Sequence, residues 1–368
     1  MDNEKIDELI AEEQYNLEEK EKEEQLFKIV IEQVQHQIDT NEHMRRFYER
    51  NKFDTKAART LSDIPPLHVS MFKLFDLRLC PKEQVVRTLK SSGTTGSQSI
   101  IPIDKATAFR QMHGLTSILK SYLGKERRPF LVLDTEAVNK SSASEITARG
   151  AAIRGFIGYS SDTCYALDGN SDEELTLNAG RVVAFLNKHK DKEVLAFGFT
   201  YIIWTMLDQL ASAHLPKVKR LVLVHGGGWK KLLGLDVDKQ RFNTEAAKRL
   251  STRPQDVIDF YGMVEQTGMV FLDCSSGNKH VPDFGDIIVR DVNTMRPCGI
   301  GQQGFIELIS ILPNSYPGQA VLTEDIGVLT GIDNCGCGRK GKHFRFVSRA
   351  EKAEARGCGD TFVERVTA

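Results

Sequence analysis

The sequence predicts an α/β protein whose last part is rich in short β-strands, and three observations support this fold class. Apolar, strand-like runs such as Glu193–Phe199 alternate with helical segments up to about residue 260, which is typical of a largely parallel sheet. Beyond Gly262 the predicted strands shorten and Gly/Pro turns become frequent, which favours antiparallel pairing. A chain of 368 residues with 40% hydrophobic residues can bury a large core.

Residues 1–60 are expected to form a helical segment that packs on the body of the protein. Apolar residues recur at helical spacing from Phe27 to Ile38. The run at 18–24 is wholly charged and contains both signs, so we expect it to be a solvated helical face. The prolines after Ile64 end the segment, since a residue before proline is pushed away from helical geometry.

Apolar periodicity predicts the remaining elements in order. The α/β part should contain helices at 105–123, 175–189 and 201–210, strands at 130–133, Glu193–Phe199, 218–224 and 257–260, and turns around 145–158. In the β-rich part, strands are predicted at 287–289, 304–311, 320–322, 328–330 and 344–347. Asp325 falls between two of these and is expected to end a strand.

The most informative stretch lies just before an apolar strand and places four hydroxyls and two glycines in succession. Hydroxyls and glycine N–H groups suit a loop that wraps polyphosphate, because glycine allows close approach of the backbone. A flexible Gly/Ser turn is the alternative, but the density of hydroxyls favours phosphate binding. No lysine follows the second glycine, so this is not a Walker P-loop. The loop consists of Ser91, Ser92, Gly93, Thr94, Thr95 and Gly96.

Three later stretches have the composition of a nucleotide site, although each alone is a weak signal. They are DFYGMVEQTG at 259–268, LTEDIG at 322–327 and FVSRAEKAEARG at 346–357. A charged residue at a strand end is usually just solvated. Their order behind the hydroxyl-rich loop favours a shared site.

That order resembles the adenylate-forming superfamily of acyl-CoA synthetases, peptide-synthetase adenylation domains and luciferases. SSGTTG is similar to its phosphate loop, YGMVE to its Tyr-Gly-x-Thr-Glu motif, TED to its Thr-Gly-Asp motif, and SRAEKAEARG to its hinge strand. Over nearly the whole chain the sequence most resembles the LuxE-type acyl-protein synthetases, with HGGGWKK at 225–231 as the most specific string. Two departures are Val264, where threonine is usual, and Ser99, where many relatives carry lysine.

The resemblance implies an ATP site. The hydroxyl-rich loop would hold the β- and γ-phosphates, Tyr261 would lie on the adenine, and a glycine run would form the opposite wall. Glu265 would ligate Mg²⁺ and act as a catalytic residue, and Asp325 would bind the ribose hydroxyls with Arg349 nearby. The implied nucleotide-binding set is Ser91, Ser92, Gly93, Thr94, Thr95, Gly96, Gly226, Gly227, Gly228, Tyr261, Gly262, Asp325 and Arg349.

The same resemblance implies the domain organisation. An adenylate-forming α/β domain of stacked sheets would span residues 61–348, with its β-rich subdomain from about residue 262. Residues 349–368 would be a vestigial hinge and tail, with the mobile C-terminal domain of typical relatives largely absent.

Cys358 lies between two glycines and beside Arg356, a setting that favours an accessible thiolate. The resemblance implies that ATP activates a carboxylic acid, a long-chain fatty acid, as acyl-AMP, and that Cys358 receives the acyl group for an acyl reductase partner. Three alternatives stay open. Cys358 is an incidental surface thiol, the acyl group passes to CoA, a carrier protein or an amine, or the protein is an idle nucleotide-binding scaffold.

Three of the seven cysteines and one of the nine histidines suggest a structural zinc site. Cys335 and Cys337 form a Cys-x-Cys pair, and Cys274 precedes His280 by six residues. Two such pairs satisfy tetrahedral zinc. A loop of unrelated small residues is the alternative and remains equally open.

Charge and hydropathy exclude several classes. The net charge of −1 gives no reason to expect a nucleic acid or anionic membrane partner. Apolar runs are too short for a membrane span, and the acidic start MDNEKIDELIAEE lacks the features of a signal peptide. We therefore expect a cytoplasmic protein.

Overall fold

The computed structural model of the chain describes residues 3–90, 98–139, 145–170, 174–227 and 237–350, and the elements given below lie in these ranges. The helices are α1 Asn3–Ala11, α2 Glu19–Thr40, α3 Glu42–Arg50, α4 Met71–Leu74, α5 Lys105–Leu123, α6 Ala148–Ile157, α7 Ala179–Lys188, α8 Thr200–Ser212 and α9 Lys239–Arg249. The strands are β1 Leu67–His68, β2 Arg87–Lys90, β3 Ile100–Ile103, β4 Arg128–Thr135, β5 Glu145–Thr147, β6 Ser160–Asp168, β7 Thr176–Leu177, β8 Glu193–Phe199, β9 Arg220–Gly226, β10 Val257–Tyr261, β11 Phe271–Leu272, β12 Lys279–His280, β13 Gly285–Arg290, β14 Gln303–Ser310, β15 Ala320–Ile332 and β16 Lys342–Arg349.

The α/β part is built on a seven-stranded sheet with the order β11-β10-β9-β8-β4-β6-β7. Its five central strands run parallel, and the short edge strands β11 and β7 are antiparallel. Both faces are covered. Alternate residues of β4, such as Leu131 and Val132, enter two different hydrophobic clusters, as expected for a sheet buried on both sides. This confirms the predicted parallel α/β architecture.

The β-rich part forms a six-stranded sheet in which β12, β16, β15, β14 and β13 are antiparallel neighbours. The short strand β1 joins it in parallel, with Leu67 opposite Val321. The prediction that Asp325 ends a strand is wrong. β15 is one continuous strand, because Asp325 still pairs with Arg349 of β16, and register shifts beside it absorb the irregularity.

A three-stranded sheet, β3-β2-β5, completes the structure. Its antiparallel pair places Lys90 opposite Ile100. These two residues flank the hydroxyl-rich loop in the chain.

The N-terminal helices pack on the body of the protein, and Met44, Phe47 and Tyr48 are buried as the pattern predicted. The expectation that 18–24 forms a solvated face is wrong at two positions. Lys22 is 0% exposed, and its ammonium nitrogen lies 2.8 Å from Glu19 and 3.4 Å from Asp286. The charges are buried because each meets an opposite charge, which a one-dimensional charge pattern does not reveal.

Most of the predicted turns at 145–158 are also wrong, since β5 and α6 occupy most of this stretch, whereas Gly158 lies in a turn as predicted. Gly155 lies inside α6, at a position where a larger side chain would collide with α5. A Cβ atom at Gly155 would lie 2.5 Å from Cδ2 of Leu115 in α5, so glycine permits close helix packing. By contrast, α5 and β8 have the predicted bounds.

None of the helices in the described ranges is long and apolar enough to cross a lipid bilayer.

Candidate active site

The structure brings together three of the predicted nucleotide-binding residues from three strands. Tyr261 ends β10, Asp325 lies within β15, and Arg349 ends β16. The Tyr261 hydroxyl donates to Oδ2 of Asp325 at 2.9 Å, and Nε of Arg349 lies 4.0 Å from Oδ1 of the same carboxylate. The seven-stranded and six-stranded sheets therefore meet at Asp325.

Local hydrogen bonds explain why the Thr323–Asp325 stretch presents its carboxylate here. The Thr323 hydroxyl donates to the Ile306 carbonyl at 2.8 Å and accepts from the Asp325 N–H at 3.1 Å. On the opposite edge of β15, Asp325 pairs with Arg349 of β16, which also fixes its backbone. Arg349 itself donates to Glu324 at 2.8 Å, so its charge is shared between two neighbouring carboxylates.

Tyr261 is a buried, neutral hydrogen-bond donor. Its residue is 9% exposed, and burial together with the Asp325 carboxylate raises the pKa of the phenol far above its usual range. The ring of Phe346 stacks on it with centroids 5.6 Å apart and an interplanar angle of 27°. Phe346 is 38% exposed, so an aromatic surface at this point faces solvent. The sequence does not predict this stacking of Phe346 on Tyr261, because the stretch 346–357 resembles only a charged hinge.

Glu265, the expected magnesium ligand, lies in the turn Val264–Gln266 that follows β10. It is 5% exposed, and burial raises the pKa of its carboxyl, with Ser99, Lys73 and Arg349 acting in the opposite direction. A carboxylate desolvated in this way gains from a nearby cation. The backbone is held in place by the Tyr316 hydroxyl, which donates to the Glu265 carbonyl at 3.0 Å.

The glycine run begins at the carboxyl end of β9, beside β10. A Cβ atom at Gly226 would lie 2.5 Å from the Phe260 carbonyl oxygen, and Gly227 has φ +68°, so both positions favour glycine. Gly262, the remaining predicted glycine that the structure describes, directly follows Tyr261 at the end of β10. Ligands of open parallel sheets bind outside the carboxyl ends of the strands, which is where Gly226, Gly227 and Tyr261 lie.

Several predicted residues lie outside the described ranges. They are Ser91, Ser92, Gly93, Thr94, Thr95 and Gly96 of the hydroxyl-rich loop, Gly228 of the glycine run, and Cys358. Their predicted roles therefore stay predictions.

The four residues predicted for zinc converge. The ligand atoms of Cys274, His280, Cys335 and Cys337 all lie within 4.8 Å of one another. The sulfur atoms of Cys274 and Cys335 are 3.7 Å apart, and Sγ of Cys337 is 3.2 Å from Nε2 of His280. Two sulfurs on one tetrahedral zinc, each at about 2.3 Å, would be about 3.8 Å apart, so the donor set fits the ion.

Tight turns bring these ligands into position. In the first, the N–H of Cys274 donates to the Asn278 carbonyl at 2.8 Å, and Gly277 adopts φ +72°. In the second, the N–H of Gly338 donates to the Cys335 carbonyl at 3.0 Å, and Gly338 adopts φ +87°. Both glycines therefore supply a left-handed backbone that allows the turn.

The electrostatics of this Cys/His cluster also suit a metal. Burial raises the pKa of Cys335, but hydrogen bonds from the Cys337 N–H and the Asn278 amide outweigh it and bring the pKa to about 7. Burial lowers the pKa of His280 to about 4, so its ring is neutral at pH 7. Burial raises the pKa of Cys274 to about 11, and this thiol would ionise only on binding a cation.

A buried ion network links the Cys/His cluster to the nucleotide-binding strands. The ammonium of Lys279 lies 2.8 Å from Asp259 of β10 and 3.1 Å from Asp273, which precedes Cys274. Asp273 also pairs with Lys239 of α9. Sequence reasoning missed this network, because residues 20 positions apart carry no periodic signal of contact.

A family model described as acyl-protein synthetase, LuxE, matches residues 1–367. The chain is 24% identical over 340 residues to the long-chain-fatty-acid–luciferin-component ligase of Vibrio harveyi, covering 91% of this chain and 86% of that protein. It is 22% identical over 309 residues to the ligase of the same name from Aliivibrio fischeri, covering 83% and 79%.

Solved structures of 2-hydroxyisobutyryl-CoA ligase share the fold. The open conformation in complex with 2-HIB-AMP and CoA superimposes with a TM-score of 0.66 at 14% identity, covering 89% of this chain and 74% of that one. The thioesterification state, with the same ligands, gives 0.64 at 14% identity, covering 90% and 69%. The fold is therefore that of an adenylate-forming ligase.

Proposed function

The chain belongs to the LuxE acyl-protein synthetase family and is a ligase, and from this premise we propose that it uses ATP to activate a long-chain fatty acid. The observation that carries the proposal is the meeting of Tyr261, Asp325 and Arg349, within a fold shared with an acyl-adenylate-binding ligase. The relatives named as long-chain-fatty-acid–luciferin-component ligases favour a fatty acid as the substrate.

In this proposal the nucleotide lies across the carboxyl ends of β9 and β10. The Asp325 carboxylate accepts hydrogen bonds from the ribose hydroxyls. The hydrogen bond that the Tyr261 hydroxyl donates to this carboxylate orients it. The adenine lies between Tyr261 and the glycine run that starts at Gly226. The loop at 91–96 holds the β- and γ-phosphates. Glu265 would hold a Mg²⁺ ion, which would supply positive charge to neutralise these phosphates.

The first chemical step forms an acyl-adenylate. A carboxylate oxygen of the fatty acid attacks the α-phosphorus of ATP and forms a new P–O bond. The bond from the α-phosphorus to the bridging oxygen breaks, and pyrophosphate leaves with the electron pair. Positive groups and oriented N–H donors around the leaving group stabilise its developing charge.

The second step transfers the acyl group to the protein. The thiolate of Cys358 attacks the acyl carbonyl, the thioester forms, and AMP leaves with the electron pair of the broken C–O bond. The thioester then supplies an acyl reductase. We place the reaction in the cytoplasm, which provides ATP and keeps thiols reduced.

A different acyl acceptor is favoured by one observation. The structures of 2-hydroxyisobutyryl-CoA ligase that share the fold are complexes with both 2-HIB-AMP and CoA. A phenylacetate-CoA-ligase-like enzyme would pass the acyl group to CoA, a carrier protein or an amine. Acylation without any added acceptor separates the two functions.

The decisive experiment is ATP–pyrophosphate exchange across a series of carboxylic acids, followed by acylation with labelled fatty acid. We expect exchange with long-chain acids and a hydroxylamine-labile protein ester. The Cys358→Ser variant should keep exchange and lose the ester, whereas Cys298→Ser, a turn cysteine, should keep both. No exchange with any fatty acid would exclude the proposed substrate, and an ester on Cys358→Ser would exclude the proposed acceptor.

We further propose that the Cys/His cluster holds a structural zinc ion. The close approach of its four ligand atoms and the neutral state of His280 support this. Metal analysis of the purified protein should find about one zinc per chain. Less than about half an equivalent would count against the site.

A further inference from the structure

We propose that Lys73 binds the β- and γ-phosphates of ATP and stays in contact with the pyrophosphate that leaves. The inference rests on the proposed ATP-dependent activation and adds a binding residue to it. Lys73 belongs to none of the sequence motifs that suggested the nucleotide site. Its place in the fold is what singles it out.

Lys73 lies in α4, immediately after β1 has joined the six-stranded sheet. β1 runs parallel to the start of β15, with His68 opposite Leu322, and the N–H of Val69 donates to the Leu322 carbonyl at 2.9 Å. The chain therefore enters α4 beside the stretch that leads to Asp325. α4 also packs against β3, the strand that follows the hydroxyl-rich loop. Lys73 thus lies between two predicted segments of the nucleotide site.

The charge of Lys73 acts on the paired strands that lead to α4 and to Asp325. The pKa of the Glu324 carboxyl in β15 is lowered against the effect of burial, chiefly by Arg349 and further by Lys73. Lys73 also adds to the burial that lowers the pKa of His68 in β1, the strand that pairs with β15. Lys73 is half-buried, which reduces the screening of this charge by solvent.

The charge of Lys73 is available to a ligand. Among the described residues, no carboxylate lies within 4.0 Å of its ammonium nitrogen. The other cation near Asp325 is Arg349, which already donates to Glu324 at 2.8 Å. A triphosphate brings roughly four negative charges next to Glu265, Glu324 and Asp325, and their repulsion requires an opposing cation. Lysine is well suited to this task because it binds phosphate as a point charge.

The position also favours the terminal phosphates over the α-phosphate. Asp325 and Tyr261 mark the nucleoside end of the site, whereas α4, which carries Lys73, packs against β3, the strand that follows the loop proposed to hold the terminal phosphates. Loss of Lys73 should therefore weaken ligands that carry the β- and γ-phosphates and leave AMP nearly unaffected.

The test compares binding of ATP, pyrophosphate and AMP by calorimetry in the full chain, with no acid present. We expect Lys73→Met to weaken ATP and pyrophosphate by about 10- to 100-fold and AMP by less than about twofold. Lys73→Arg should restore most of the lost affinity. Lys82→Met, which removes an exposed lysine nine positions away, is the matched control and should bind as the unchanged protein does.

Unchanged ATP affinity in Lys73→Met, or equal weakening of ATP and AMP, would overturn the inference. If Lys73→Met does not fold, as judged by thermal melting, Lys73→Gln replaces it with the same expectations. ATP binding that depends on Lys73, without pyrophosphate exchange for any acid, would overturn the proposed ligase reaction and leave the role of Lys73 intact. Absence of ATP binding in the unchanged protein would overturn both.

Discussion

The hydrogen bond between Tyr261 and Asp325 shows how single residues prepare the proposed ribose site. A carboxylate that accepts one fixed hydrogen bond presents its remaining lone pairs in a defined direction. The phenol is buried and its pKa is raised well above the usual range, so it stays a protonated donor at neutral pH. The Tyr261–Asp325 pair thus presents a carboxylate in a fixed orientation that suits the two hydroxyls of a ribose.

We predict that Asp325→Asn raises the KM for ATP by about tenfold or more, because an amide is a weaker acceptor and presents N–H groups to the ribose. Tyr261→Phe should have a smaller effect, since the carboxylate remains but is less well oriented. Pyrophosphate exchange at varied ATP measures both. Asp291→Asn, in an exposed turn, is the control and should change nothing. Equal KM values for Asp325→Asn and the control would contradict the assignment.

Glu307 gives a prediction about pH. Burial raises the pKa of its carboxyl from 4.5 to about 7, although Arg290 lies against it and acts in the opposite direction. The folded protein therefore binds this proton more tightly than the unfolded chain does. The stability that the proton contributes is complete below pH 4.5 and is lost as the pH rises through about 7.

Glu307→Gln should remove that pH dependence, because the amide does not titrate. The measurement is the free energy of unfolding in urea at intervals from pH 4.5 to 7.5, and the slope is compared, since loss of the Arg290 contact also changes the absolute value. A slope identical to that of the unchanged protein would show that Glu307 titrates normally.

At the scale of elements, the charged start of α2 illustrates where sequence patterns fail. The same run of Glu and Lys predicts a solvated helix face, yet Glu19 and Lys22 are buried against β13 and β16. Lys342 closes the group, with its ammonium 3.1 Å from Glu19 and 2.6 Å from Asp286. Two positive and two negative charges compensate each other, so the group is buried without net charge.

Removing one member should be costly. We predict that Lys22→Met lowers the free energy of unfolding by about 3–5 kcal/mol, because Glu19 and Asp286 then keep only Lys342 as a buried partner. Lys20→Met, on the exposed side of the same helix, should change it by less than about 0.5 kcal/mol. Urea denaturation of both variants measures the difference. Similar values for the two would mean that the buried group contributes no specific stability.

Elements with a clear period could be predicted from the sequence, and those with competing signals could not. α5 and β8 have strong apolar patterns and appear at the predicted bounds. The stretch around Gly155 was misassigned, because a glycine that permits helix packing is identical in sequence to one that makes a turn. Asp325 was placed at a strand end, because a polar residue in a strand is read as a boundary unless its partner, Arg349, is known.

At the scale of the whole molecule, the Cys/His cluster connects the two large sheets. Cys274 follows β11 at the edge of the seven-stranded sheet, whereas His280 lies in β12 of the six-stranded sheet. Cys335 and Cys337 come from the turn between β15 and β16. A metal bound here would cross-link the two sheets beside the nucleotide site.

We predict that a zinc chelator lowers the melting temperature of the purified protein by several degrees, because the metal contributes its binding free energy to the folded state. Cys337→Ser should lower it similarly and make it insensitive to the chelator. Cys80→Ser, outside the cluster, should melt and respond as the unchanged protein does. A chelator effect of equal size in Cys337→Ser would exclude this cluster as the metal site.

The site as a whole was predictable to the extent that its residues lie in motifs. Short strings predict that Tyr261, Asp325 and Arg349 share a site, and the structure brings them together. Cys/His spacing predicts that the four residues of the Cys/His cluster converge, as they do. Phe346, Lys73 and the Lys279 network were not predicted. Their positions depend on how distant segments meet in the fold, which no local spacing encodes.

Those distant contacts have a consequence for how the protein is made. Lys22 meets Asp286 across 264 residues, and the Gln33 amide donates to the Ile311 carbonyl across 278. α2 leaves the ribosome long before these partners exist, so the part of its buried face that contacts Asp286 and Ile311 stays uncovered in the meantime. The high contact order implies slow closure late in synthesis. In this enzyme the contacts of α2 with the β-rich part can form only after residue 311 has been translated.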